Sequence, residues 1–199
     1  MSDVVRESVA AYGATLRRMT VREYYLAAES GVLDPDERLE LLRGEVVAMS
    51  PQKSFHAWAT GNLAKVLQAV FPEASIRIQF PLSLNDMNEP EPDVLVALGP
   101  DSRYMDRHPG PSDVLLVVEV SDTTLRKDRT LKGPLYAEFG INEYWILDLN
   151  AGRLEVYRDP GKDAEGKAGY RSTVIIEKGG QIETGNGTVS IAALLPDDA

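Results

Sequence analysis

A chain of 199 residues with 43% apolar content fits one domain, or one domain plus arms, and has ample material for a core. It has no cysteine and only two histidines, His56 and His108. Disulfides, cysteine zinc sites and multi-histidine sites are therefore excluded, and any metal must rest mainly on oxygen ligands, which suits magnesium or manganese. The formal charge of −10 repels a polyanion on average, which argues against tight non-specific duplex binding unless a local basic groove or a bound cation offsets it.

In chain order, Met1 to Tyr12 mixes acids with no long apolar run, unlike a signal peptide. No segment approaches the roughly 20 apolar residues of a membrane span. The expectation is a cytoplasmic protein without membrane contact. Residues 1–18 read as a flexible arm. Residues 19–199 read as one domain, with a core at about 56–149 and an antiparallel extension at 150–195.

Thr20 with Glu23 forms a capping box for a helix over Val21 to Glu29 that stops at Gly31. Arg38 to Met49 reads as a hairpin about an Arg43-Gly44 turn. Ala59, Leu63, Val66, Leu67 and Val70 fall at helical spacing over His56 to Val70, and Pro72 ends that helix. Ser75 to Phe80 alternates as a strand with Ile76, Ile78 and Phe80 on one face. Asp93 to Leu98 and Val114 to Val120 are further strands, the latter apolar enough to be covered on both faces.

Thr124 to Phe139 is mostly helical, but Gly133-Pro134 predicts an irregular turn before a regular helix that Gly140 closes. Glu143 to Leu149 is a strand. Arg153 to Arg158, Tyr170 to Glu177 and Gln181 to Ile182 are antiparallel strands, with Asp159 to Ala168 a linker between two of them. The strand-helix-strand step favours a mixed central sheet with helices on its faces.

Two carboxylates stand out. Asp93 follows Pro92 at the head of one apolar strand, and Glu119 lies near the end of the next, two residues before Ser121. Isolated buried carboxylates cost several kcal/mol, so they usually have a metal, a proton or a partner. Phosphodiester hydrolysis needs an activated water and neutralised developing charge, which divalent ions on such carboxylates supply with a lysine nearby. Each residue also has a plainer reading. Asp93 could cap its strand, Lys132 could be an ordinary surface lysine with Lys127 as competitor, and His56 could make a structural bond at the helix start. Glu40 could be a third carboxylate ligand or a surface ion pair, and Glu45 is weaker still. Ser121 could bind a metal-bound water or merely a strand-end carbonyl.

Several segments together resemble the Uma-type restriction-endonuclease-like family, a bacterial branch of the PD-(D/E)XK nuclease superfamily. They are Glu40-Leu41-Leu42-Arg43-Gly44-Glu45, Met49-Ser50-Pro51 with His56, Glu91-Pro92-Asp93-Val94, Val118-Glu119-Val120-Ser121, Lys132 with Tyr136, and Gly140 to Asp148. The resemblance covers roughly Met19 to Pro160. It implies a restriction-endonuclease-like α/β core, with a central mixed sheet flanked by helices and additional antiparallel strands. It also implies a Mg2+- or Mn2+-dependent site for cleaving DNA. Asp93 and Glu119 would hold the ion, with Glu40 as a further ligand, and Lys132 would assist the attacking water. Ser121, His56, Glu45 and Tyr136 form the outer set.

The chain departs from the superfamily at Ser121, where lysine is usual; Lys132 has the reach to replace it. Cutting both strands would favour a two-fold homodimer. Two rivals stand beside this reading: a catalytically degenerate fold that binds DNA or protein, and a metal-dependent hydrolase of a small phosphorylated substrate.

Overall fold

The computed structural model describes residues 17–34 and 36–196. The expected arm at residues 1–18 lies almost entirely outside the described residues. The chain divides into two compact units, one taking in the residues up to Ser50 together with Asn85–Glu89, the other Pro51–Leu84 and Pro90 onward.

In the first unit, helix α1 (Val21–Glu29) begins at Thr20. The Glu23 N–H donates to Thr20 Oγ1 at 3.3 Å, and the Thr20 N–H donates back to Glu23 Oε2 at 2.9 Å. This is the reciprocal cap that the sequence predicts. Strands β1 (Leu39–Leu42) and β2 (Glu45–Ala48) pair antiparallel. Their two-residue turn places Arg43 at φ 53° and Gly44 at φ 74°, the left-handed pair that a tight hairpin needs. Asn85–Glu89 is stitched to this hairpin, with the Gly44 N–H donating to the Met87 carbonyl at 2.8 Å.

The second unit is built on a six-stranded sheet in the order β3-β4-β5-β6-β7-β8. The strands are β3 (Ser75–Ile78), β4 (Val94–Ala97), β5 (Val114–Ser121), β6 (Glu143–Asp148), β7 (Arg153–Lys162) and β8 (Ala168–Glu177). All neighbours are antiparallel except β5 and β6. Parallel neighbours need a crossover connection. Here it comprises α3 (Leu125–Lys127), a π-turn at Asp128–Lys132 and α4 (Gly133–Glu138). The irregular turn expected before Pro134 is this π-turn.

Helix α2 (Ser54–Val70) covers one sheet face. Its Ala59, Leu63, Ala64 and Leu67 pack in one core with Val94, Val96, Leu116, Val118, Val120 and Trp145. A last hairpin, β9 (Gln181–Thr184) with β10 (Gly187–Ser190), adds Ile182 and Val189 to it. On the other side α4 packs against β7 and β8. Tyr136, Tyr144, Tyr157 and Tyr170 form a cluster there, with ring centroids 5.2 to 6.0 Å apart.

Four strands differ from expectation. Half of the expected linker at Asp159 to Ala168 is strand, because β7 and β8 continue as a two-stranded ribbon pairing Lys162 with Ala168. Beyond the last β6 partner, Arg158, a proline such as Pro160 is tolerated. Strand β3 ends at Ile78, since Gln79 turns to φ 53°, and this leaves Phe80 off the strand and exposed. Strand β10 was not expected; its Gly-Thr-Val-Ser run is too short to show a period.

Candidate active site

Pro92 and Asp93 stand where the β4–β5 ladder stops. Val94 pairs with Val118, so continuing the register two residues puts Pro92 opposite Val120. Proline has no N–H to offer a neighbouring strand. The Val120 backbone bonds elsewhere: its N–H donates to Asp93 Oδ2 at 2.8 Å, and its carbonyl accepts from His56 Nε2 at 2.8 Å. A carbonyl can only accept, so His56 carries a proton on Nε2. The same nitrogen lies 3.4 Å from Asp93 Oδ2. Gln79 Nε2 donates to the other oxygen, Oδ1, at 3.0 Å. The left-handed turn that ends β3 thus also aims Gln79 at Asp93.

These contacts set the charge states. Burial pushes the Asp93 carboxyl up, but the His56 bond and charge, the Lys132 charge and the Val120 N–H hold it below its ordinary value. The bond to Asp93 raises the His56 imidazole, against the opposing effect of its own burial.

Glu119 lies on β5, 3% exposed, in a run of Val and Leu. Its Oε1 accepts from Lys132 Nζ at 2.9 Å and from the Tyr136 hydroxyl at 2.8 Å. Lys132 is also 3% exposed. It reaches Glu119 because the π-turn ends at Lys132, and Tyr136 follows on α4 one helical turn later. Ser121 is fully buried, and its hydroxyl donates to Asp128 Oδ2 at 2.6 Å. Thr124 Oγ1 donates to the same oxygen at 2.7 Å. Burial raises the Asp128 carboxyl, with a further push from the Asp93 charge and a counter-pull from Lys132. Asp93, Asp128 and Lys132 therefore lie within one another's fields.

Six of the expected residues, Asp93, Glu119, Lys132, Ser121, His56 and Tyr136, thus gather around the C-terminal end of β5. Lys132 is thus the lysine seated on Glu119. Glu40, buried on β1, and Glu45, half-buried on β2, belong to the first unit. Sequence reasoning missed Gln79 and Asp128. Gln79 gains its role from a backbone turn that no residue pattern announces. Asp128 could have been found, because Ser121 and Thr124 both needed a buried acceptor nearby. It also missed Glu155 on β7, which accepts from Arg129 Nε at 2.9 Å and from the Tyr157 hydroxyl at 2.7 Å.

Among the described residues no group of three or more His, Asp and Glu side chains is arranged to hold a metal ion. Magnesium does not require one. It is commonly held by one or two carboxylates, with its other positions on water and phosphate. Asp93, Glu119 and the Val120 carbonyl are an all-oxygen donor set of that kind, and they fit such an ion in their chemistry.

The family model described as Uma2, "Putative restriction endonuclease", matches residues 22–190. A search of curated proteins finds no match. Among solved structures, the chain is similar to a crystal structure described as a putative nuclease belonging to DUF820 from Anabaena variabilis ATCC 29413. The match covers 88% of this chain and 97% of that one, with a TM-score of 0.61 and 14% identity. At that identity the likeness establishes the shared fold, a nuclease-type α/β core around a mixed sheet. With most of its length matched by the family model, the chain belongs to the Uma2 family.

Proposed function

We propose that the protein is a metal-dependent endonuclease that hydrolyses DNA phosphodiester bonds at the C-terminal end of β5. One observation carries this reading: Lys132 stands on Glu119, so an ammonium is present beside the acidic pair although the strand position for it holds Ser121. Family membership supports the same reading. Asp93 and Glu119 would hold a Mg2+ or Mn2+ ion. When bound, the ion would supply water activation and neutralisation of charge on the phosphate.

The remaining roles belong to the chain itself. Lys132 offsets charge on Glu119 in the resting protein and faces the phosphate where negative charge develops. Tyr136 fixes the Glu119 carboxylate by donating to it. His56 and Gln79 hold the Asp93 carboxylate by its two oxygens, which limits its rotation. Ser121 takes no part in proton transfer in this scheme, since its hydroxyl is engaged with buried Asp128.

The test is nicking of supercoiled plasmid with Mn2+ or Mg2+, comparing wild type with Asp93→Asn and Glu119→Gln. Cleavage by wild type and its loss in both variants is expected. Calorimetric titration with Mn2+ supplies a second readout, and both variants should bind the ion more weakly. The −10 charge and the strand serine favour one rival, a degenerate module that binds without cutting. It predicts no cleavage of plasmid, single-stranded or nucleotide substrates and unchanged metal affinity in both variants.

A further inference from the structure

The six-stranded sheet ends in two edges of different character. Strand β3 is four residues long, carries Arg77, and stops at the left-handed Gln79. A short, charged, sharply ended strand is a poor template for further pairing. Strand β8, at the other edge, has ten residues and no proline. Its centre, Thr173-Val174-Ile175-Ile176, is uncharged and β-branched throughout, and Val174 and Ile175 are 47% and 50% exposed. Among the described residues no strand or other backbone group bonds to the edge of β8 that faces away from β7. A long, uncharged edge of this kind offers its row of N–H and C=O groups to another strand.

The order of its residues says which strand fits. Side chains alternate, so Arg171, Thr173, Ile175 and Glu177 share one face, and Ser172, Val174 and Ile176 the other. Two copies of β8 paired antiparallel about a two-fold axis keep these faces together, and every contact then occurs twice. With the axis at Val174, Val174 meets the partner's Val174, Thr173 meets the partner's Ile175, and Arg171 meets the partner's Glu177. An axis at Thr173 or Ile175 sets Glu177 opposite the partner's Gly169 or the partner's Thr173 instead. Glu177 has no ion pair among the described residues. Arg171 meets Asp159 at 3.3 Å through Nη1, with both side chains well exposed, and its guanidinium has donors for a second carboxylate. One arginine and one glutamate leave β8 locally neutral in a chain of charge −10. We propose that β8 pairs with β8 of a second copy, antiparallel about Val174, joining two sheets into one. This does not depend on the chemistry assigned to Asp93 and Glu119.

Sedimentation velocity of the full chain tests it, from about 2 to about 200 μM, which spans the micromolar affinities of modest interfaces. Wild type should shift from monomer toward dimer across that range. Arg171→Glu and Glu177→Arg each set like charges opposite one another at both ends of the paired strands. Each should weaken self-association by about 10-fold or more. An equal mixture of the two variants restores both ion pairs, and it should dimerise about as well as wild type. Hydrogen exchange locates the contact: the alternate amides of residues 170–176 aimed away from β7 should slow as concentration rises.

A wild type that stays monomeric throughout this range would overturn the proposal. So would association unmoved by either variant, or lost in both and not recovered on mixing. Slow exchange of these amides in the monomer would overturn it too, since the edge would then be covered within one chain. Dimerisation that slows exchange elsewhere and leaves β8 unchanged would place the two-fold on another surface. Cleavage enters none of these readouts, so failure of the nuclease reading leaves the result as it stands.

Discussion

Lys132 and Glu119 form a buried ion pair whose two roles, structural and chemical, can be separated by mutation. Removing one member of such a pair leaves the other charge buried and costs about 3–5 kcal/mol. Lys132→Met should therefore lower the melting temperature as well as turnover. The double variant Glu119→Gln with Lys132→Met should recover most of the melting temperature and none of the cleavage. On the proposed reading, Lys132→Met lowers kcat by roughly 10²- to 10³-fold, as for other groups acting where charge develops. Manganese affinity, read by calorimetry, should change less than kcat. Full activity in Lys132→Met would remove the ammonium from the chemistry.

Asp128→Ala tests the neighbouring network, where Ser121 and Thr124 would lose their shared acceptor. Leaving these donors unmatched should cost about 1–3 kcal/mol in urea unfolding. Glu119 stood out in the sequence because charge inside an apolar run is rare, whereas Lys132 entered through the family resemblance. Gln79 and Asp128 did not stand out, because their roles come from a backbone turn and from neighbours on other elements.

At the scale of elements, the turn before β5 makes a pH-sensitive joint. Asp113 accepts from Arg107 at 2.6 Å and from the Gly110 N–H at 2.9 Å, and it lies 3.2 Å from Arg103. The Arg107 bond, outweighing burial, brings its carboxyl down from 3.8 to about 2. A carboxyl lowered on folding adds stability above its unfolded pKa, and that stability fades as pH falls through the folded value. The window here is about pH 4 down to pH 2. The arginines are half exposed, so solvent screening reduces the contribution to about 1–2 kcal/mol. Asp113→Asn should lose that amount in urea unfolding at pH 6, and the gap from wild type should close near pH 2.

The connection leaving β4 is sterically fixed. A Cβ on Gly99 would lie 1.9 Å from the Glu73 carbonyl oxygen. Gly99→Ala should destabilise by about 1–3 kcal/mol or more through forced backbone movement, measured as a shift in urea midpoint. Helix α1, the first hairpin and the central strands were readable from caps, turn residues and apolar runs. The β7–β8 ribbon was not. Asp159, Pro160 and Gly161 carry turn signals, yet the long cross-strand pairing overrides them.

Across the whole molecule, the charge of −10 gives a testable salt response. Raising NaCl from about 10 to about 150 mM shortens the screening length from about 30 to about 8 Å. Self-repulsion of the acidic chain then weakens. The melting temperature should rise by about 2–4 °C, the shift that about 1 kcal/mol gives in a chain of this size. A fall instead would mean that surface ion pairs, such as Lys53 with Asp122, outweigh the net repulsion.

The parallel pairing of β5 with β6 has a consequence for descent. Tyr136 and Lys132 lie only 17 and 13 positions from Glu119, all within one strand and its crossover. Asp93 and His56 reach Val120 from 27 and 64 positions away. On the proposed reading, an ammonium supplied from the crossover in place of one at the Ser121 position stays on the same short piece of chain. Such an exchange can pass through a lineage as two nearby codon changes, with the sheet, Asp93 and the outer hairpins inherited untouched.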